Sequence, residues 1–358
     1  LVAFMMLLGY IIQRFVRYLF ISKKNSDKLV MILFFGMLLG QLFESQIMYS
    51  TNFINIMFWF VAGYGLMICN RDEKIRYQEV TDVREIQQME LGIMEYIHEV
   101  CNKIGVKYFL AYGSLIGAVR HQGFIPWDDD IDVGMTRENY DNFLRVAEQY
   151  LGEEFYLQSP SSDRRSPYSY SKLMLKGTLF LEYAQRNLKT QSGIYVDIFP
   201  FDEVPDNEIE NERQFKAVQF YKKLYVMRML PTVSKAPENL IQGLKAMLRR
   251  CIHYSLKLIP KSLILKKIDQ FSRLYNGTNQ SAFACLDFPV RNVEYVLKTT
   301  LYPLIEHKFE EITILLPGDF HQYLTTHYGE YMKLPPLEER VGHRPYLIDL
   351  GIYGKEKK

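Results

Sequence analysis

Residues 128–132 read D-D-D-I-D, which sets Asp128, Asp130 and Asp132 at alternate positions. In a strand, alternate side chains share a face, and the Cα atoms of Asp130 and Asp132 would lie about 6.5–7 Å apart. Like charges packed this closely repel strongly unless a cation neutralises them. Hard oxygen donors favour Mg²⁺ or Mn²⁺ over zinc. Ile125, Trp127, Ile131 and Val133 surround these carboxylates with large apolar residues, which suits a half-buried strand better than a solvated acidic loop. A third carboxylate, Asp197, sits in G-I-Y-V-D-I-F-P between Val196 and Ile198. A buried Asp needs a partner or a metal. Asp130, Asp132 and Asp197 are therefore the candidate metal ligands, for two ions about 3.5–4 Å apart. Upstream, Gly113-Ser114 falls between an expected strand and helix, where backbone N–H groups and a hydroxyl can receive a phosphate. Neither a Walker loop nor a G-x-S-x-G elbow is present.

The elements that must position these residues are legible from periodicity. Ile86, Met89, Ile93, Ile97 and Val100 predict a helix over 81–105, capped by Thr81 or Asp82 and stopped by Gly105. A strand at 106–111, a turn at Gly113-Ser114, a helix at 115–121, a strand at 128–135 and a helix over 136–151 follow. Further strands are expected at 155–158, 168–175 and 194–199, and helices at 205–230, 237–258, 261–275 and 320–332. Strand, Gly-Ser, helix, then strand with D-x-D describes a nucleotidyltransferase core. The expected fold class is thus α/β of the α+β kind, a small mixed sheet with helices and a helical second half, preceded by transmembrane helices.

The 358 residues carry 43 basic and 41 acidic side chains, a net +2, and 48% are apolar. Four scattered cysteines without a C-x-x-C pair exclude a disulfide framework and a Cys-based zinc finger. The charge is divided unevenly: residues 1–76 are net +4, and 77–358 are net −2. A body without a basic excess excludes a general nucleic-acid binder. Between residues 29 and 70 the only charged residue is Glu44. Segments 29–43 and 53–69, with their flanks, approach the roughly 20 apolar residues of a membrane span. Arg14, Arg17, Lys23, Lys24 and Lys28 on one side and Arg71, Lys74 and Arg76 on the other put both ends of such a hairpin in the cytoplasm. The expectation is a multi-pass cell-membrane protein: a transmembrane hairpin and charged linker over 1–76, and a catalytic domain over 77–358 on the cytoplasmic side. A buried hairpin in a soluble fold is the alternative. The chain begins at Leu1 rather than Met, so further sequence is expected before it.

The stretch Gly113-Ser114-Leu115, Gly117-Ala118-Val119-Arg120-His121, Gly123-Phe124-Ile125-Pro126-Trp127 and the acidic run that follows resembles the LicD family of phosphotransferases, related to the fukutin-type enzymes. The block at 193–200 and a C-terminal block (Phe309, Pro317, Tyr323-Leu324, Tyr328-Gly329, Tyr331-Met332, Leu334-Pro335-Pro336) extend the resemblance over about 96–343. Residues 14–69 weakly resemble the C-terminal end of O-antigen polymerases or ligases. The LicD resemblance implies metal-dependent transfer of phosphocholine, or a polyol phosphate, from CDP-choline or another CDP-alcohol to a sugar hydroxyl. The acceptor would be a lipid-linked or polymeric surface glycan, lipopolysaccharide or teichoic acid, and CMP would leave.

In that reaction Ser114 and nearby backbone would hold the diphosphate, and Arg120 either neutralises phosphate charge or is a surface cation. Asp197 or Asp128 is the expected base, with His121 and His343 as further candidates. Lys172 is a phosphate contact or an exposed strand lysine; Trp127 stacks on substrate or packs in the core. Two alternatives remain: a true nucleotidyltransferase that releases pyrophosphate, and a non-catalytic membrane-anchored glycan-binding module.

Overall fold

The structure, a computed structural model, describes residues 9–16, 29–36, 38, 61–62, 64–65, 82–186, 188–231, 240–288, 295–342 and 345–354. The chain divides into two units, residues 1–77 with 232–251, and 78–231 with 252–358.

In the second unit the Asp82 carboxylate accepts a hydrogen bond from the Arg84 N–H at 3.0 Å and starts helix α1, Val83–Ile104. Its apolar spacing buries Ile86, Ile93, Met94, Ile97 and Val100, and Gly105 ends it with φ 71°. The chain continues through β1 (Phe109–Leu110), α2 (Tyr112–His121), β2 (Asp132–Thr136), α3 (Arg137–Val146), β3 (Phe155–Gln158), β4 (Ser171–Leu175), β5 (Leu179–Leu181) and β6 (Tyr195–Val204). Next come α4 (Glu208–Met229), α5 (Leu240–Leu256), α6 (Lys261–Ser272), β7 (Ala282–Ala284), β8 (Tyr295–Leu297) and α7 (Lys298–Leu301). The described part ends with β9 (Ile305–Phe309), β10 (Ile312–Leu316), α8 (Phe320–Tyr328) and β11 (Leu347–Asp349).

The main sheet runs β1-β2-β6-β4-β3, with β7 on β6 and β8 on β7. β2 and β6 are parallel, and the other pairs are antiparallel. All ten residues of β6 are buried, and all but Asp197, Asp202 and Glu203 are apolar. Its first half pairs with β2 and β4, and its end pairs with β7. Helices α1 and α3 cover one face: Tyr96 stacks on Phe155 at 4.4 Å, and the Tyr140 hydroxyl meets the Ser171 hydroxyl at 2.6 Å.

Several expectations are corrected. The strand expected over 128–135 begins only at Asp132, because residues 125–128 form a turn (Asp128 N–H to Ile125 O, 3.0 Å). The Gln87 amide also donates to the carbonyls of Ile125 and Asp128 at 3.2 and 2.8 Å, so those groups need no ladder. Gly113 and Ser114 are not a free turn but lie in the first turn of α2. The second half is not simply helical, since it holds β7 to β11. The β9–β10 hairpin escapes notice because its two-residue link is Glu310-Glu311, with φ 51° at Glu310, and not the usual Asn-Gly or Asp-Gly.

Gly117 lets α2 lie directly on the following loop. A Cβ there would sit 2.5 Å from the Gly123 carbonyl oxygen and 3.2 Å from the Ile125 nitrogen. Gly117→Ala is expected to destabilise the protein by about 1–3 kcal/mol in urea unfolding. Gly92→Ala on α1, where nothing lies within 4 Å, is the control and should stabilise by about 0.5–1 kcal/mol.

In the first unit, residues 9–16 and 29–36 are helical, and the Phe15 and Phe34 rings meet edge to face at 4.6 Å. Leu29, Ile32 and Leu33 are exposed. Among the described residues no helix is long and apolar enough to cross a membrane. The expected transmembrane helices therefore gain no support, although residues 39–43 and most of 53–69 fall outside the described residues. So does much of the polymerase-like stretch.

Candidate active site

Sheet register brings three of the expected residues into one row. Asp132 on β2 is paired with Asp197 on β6, and Asp197 with Lys172 on β4. Residues in register on neighbouring strands share a face, so the two carboxylates and the ammonium stand side by side, away from α3. Lys172 Nζ lies 2.8 Å from Asp197 Oδ1, and both side chains are buried. The ammonium also sits over the rings of Tyr195, Tyr168 and Tyr170, at 3.3, 4.4 and 5.6 Å from their centroids. Tyr168 is fixed in turn by donating to Glu182 at 3.1 Å.

In this row two carboxylates stand beside one ammonium. Burial pushes the Asp197 carboxyl up to about 6, against the pull of Lys172, and Asp130 adds to the rise. Burial, then Asp130, Asp197 and Asp128, hold the Asp132 carboxyl well above the usual range. Hard oxygen donors under mutual repulsion fit a divalent cation. Asp130, Asp132 and Asp197 could hold one, although no three such groups among the described residues converge into a finished cage as they stand.

Helix α2 meets the row at its first turn. The Ser114 hydroxyl oxygen accepts the Asp132 N–H at 2.8 Å, which leaves its own hydrogen to donate elsewhere. A Cβ on Gly113 would lie 2.9 Å from Asp128 Oδ2, so glycine lets that carboxylate approach the helix start. The loop before β2 is clamped from the far end of the chain. Glu310 accepts from the Phe124 N–H at 3.2 Å, takes both Arg84 Nη groups at 2.9 and 2.7 Å, and donates its N–H to Gln122 O at 2.8 Å.

Arg120, His121 and Trp127 form a separate group at the other end of α2. Arg120 donates to His121 Nε2 at 2.9 Å and to the Tyr331 carbonyl at 2.7 Å, while Arg340 lies 5.3 Å over the Trp127 ring. Burial, then Arg340, lowers the Arg120 guanidinium, and burial, then Arg120, lowers His121. These contacts tie the C-terminal segment to α2. His343 lies outside the described residues. Sequence reasoning missed the tyrosine box and Glu90, a buried carboxylate on α1 whose only signal was a charge on an apolar helix face. A cavity of about 370 Å³, lined by Arg137, Tyr140, Lys222 and Asp287 among others, lies on the α3 side of the sheet, away from the row.

A mixed sheet with paired aspartates on adjacent strands, beside a helix N-terminus, is the framework of a nucleotidyl- or phosphotransferase. The family model described as LicD/FKTN/FKRP, nucleotidyltransferase domain, matches residues 105–234. The chain is 30% identical over 272 residues to the lipopolysaccharide cholinephosphotransferase LicD of Haemophilus influenzae, which covers 73% of this chain and 95% of that protein. It is 33% identical over 106 residues to the human ribitol 5-phosphate transferase FKRP, which covers 30% of this chain and 19% of that protein. The chain belongs to the LicD family of phosphotransferases.

Proposed function

We propose that the protein transfers a phospho-alcohol group, phosphocholine or a relative such as ribitol phosphate, from a CDP-activated donor to a sugar hydroxyl of a cell-surface glycan. The observation that carries this is the Asp132–Asp197–Lys172 row beside the start of α2, in a chain whose relatives are a cholinephosphotransferase and a ribitol 5-phosphate transferase. Asp130, Asp132 and Asp197 would hold Mg²⁺ or Mn²⁺. That ion would neutralise charge developing on the transferred phosphoryl group.

Ser114 and the first-turn N–H groups of α2 would receive the donor diphosphate. The acceptor hydroxyl attacks the phosphorus that bears the alcohol, the bond from that phosphorus to the bridging oxygen breaks, and CMP leaves. Asp128 or Asp197 takes the hydroxyl proton. Lys172, set between Asp197 and three tyrosines, positions that carboxylate. The acceptor would be a lipid-linked or polymeric glycan, with lipopolysaccharide favoured by the Haemophilus relative. The exposed Leu29, Ile32 and Leu33 support a membrane-associated front end, with the catalytic unit on the cytoplasmic side.

Incubating the full chain with CDP-choline or CDP-ribitol, a divalent cation and a glycan acceptor is expected to release CMP and label the acceptor. Release of pyrophosphate from CTP instead would replace this reading with a true nucleotidyltransferase.

A further inference from the structure

The turn between α5 and α6 carries large apolar side chains on its outside. α5 ends at Leu256 and α6 starts at Lys261. The Leu258 N–H donates to Ser255 O at 3.2 Å and the Ile259 N–H to Leu256 O at 3.0 Å, which closes the link. Leu258 is 88% exposed, and Tyr254 and Leu263 on either side are 51% and 52% exposed. These are not core residues out of place, because the inner face has its own: Ile264 and Ile268 are buried with Val218 and Tyr225 of α4. The charge around the tip has one sign. From 240 to 268 the chain holds seven basic residues and no acidic one, and Lys257 and Lys266 are exposed among the apolar residues. An apolar tip set among lysines matches a surface that is apolar within and anionic at its edge, which is a bilayer with acidic headgroups. Lysine stems lie along the apolar boundary while their ammonium groups reach the headgroups. A second copy of this face would instead set lysine against lysine.

We propose that the α5–α6 turn is an interfacial anchor of the catalytic unit, with Tyr254, Leu258 and Leu263 entering the acyl boundary of a membrane and Lys257 and Lys266 meeting its anionic headgroups. The anchor needs neither a membrane span in the front end nor the phosphoryl transfer described above. It is fastened to a segment that leaves the edge of the main sheet. Lys261, the first residue of α6, donates to the carbonyls of Pro160, Asp163 and Arg164 at 3.4, 3.2 and 3.1 Å. That segment follows β3, whose Gln158 stands in register with Lys172.

The test uses the full chain reconstituted in vesicles of phosphatidylcholine, alone or mixed with phosphatidylglycerol, with brominated acyl chains. Leu258→Trp is compared with wild type by tryptophan emission, and the difference signal belongs to the new side chain. In mixed vesicles that signal is expected to shift to the blue and to be quenched about threefold more strongly than in phosphatidylcholine alone. High salt should reverse the gain. Lys257→Gln with Lys266→Gln in the same background should weaken the preference for mixed vesicles. The control is Ile209→Trp, at an exposed site near the start of α4. Arg228, near the other end of α4, donates to the Ile259 carbonyl at 2.8 Å, so Ile209 lies roughly 30 Å from the turn, and its variant should stay unquenched. An unshifted, unquenched signal from Leu258→Trp would overturn the proposal. So would a blue shift without quenching, which means that protein and not lipid covers the tip. Equal quenching of both tryptophan variants would also overturn it, since the front end alone would then bring the unit to the lipid. Equal quenching in the two vesicle types would overturn the match to anionic headgroups. Should Leu258→Trp fail to fold, Leu263→Trp gives the same comparison.

Discussion

Asp132→Asn is expected to lower turnover of the CDP-alcohol donor by about 10³-fold while leaving the melting temperature unchanged or higher. The two effects have one cause. The Asp132 carboxyl is half-buried, and desolvation and the charges of Asp130, Asp197 and Asp128 push it well above the usual carboxylate range, so a neutral amide of the same shape relieves repulsion. The main-chain bond from its N–H to Ser114 survives the change, because it does not use the side chain. What is lost is a negative oxygen where a cation would be held, and such an ion contributes several kcal/mol to a phosphoryl transition state. Lost activity with gained stability is the signature of a group kept for function. CMP release and thermal melting on the same preparation decide it: activity within tenfold of wild type would remove Asp132 from the site.

Lys172→Met has the opposite sign for stability. It removes the ammonium that lies 2.8 Å from Asp197 and leaves that carboxylate buried without its partner, at a cost of about 3–5 kcal/mol. The flat-ring contacts of Tyr195, Tyr168 and Tyr170 lose their cation as well. Urea unfolding should show the loss. The double variant Lys172→Met with Asp197→Leu should recover most of it, since an apolar pair of similar volume has no charge to strand. Added Mg²⁺ or Mn²⁺ should restore part of the stability of the single variant but none to the double one. A single variant as stable as wild type would mean that the ion pair carries no weight.

Much of this candidate site is legible in the sequence. The D-x-D spacing, the apolar setting of Asp197 and the Gly-Ser at a helix start are local patterns, and local patterns survive folding. What the chain does not spell out is register. Asp132, Asp197 and Lys172 come from three strands, and only long-range pairing decides that they fall in one row. The same holds for the three tyrosines, each of which reads alone as an ordinary strand or core residue. Local patterning also overstated β2: a strand at 128–131 was reasonable until a side chain from α1, Gln87, satisfied the carbonyls of Ile125 and Asp128. Glu90 was visible as a charge among Ile86, Ile93 and Ile97, but a helical wheel shows that it faces inward, not what it faces.

The Glu310 clamp bears on how much of the chain counts as the enzyme. The family model stops at residue 234, and every aspartate of the site lies inside it. The loop that carries three of them is nevertheless fastened by a residue 186 positions beyond Phe124 and 226 beyond Arg84. During synthesis the acidic loop leaves the ribosome well before this clasp exists, so the Glu310 contacts form only once the β9–β10 hairpin is made. A fragment trimmed to the family model would keep the Ser114 contact to Asp132 but lose the Glu310 clasp and the Gln87 contacts to the loop.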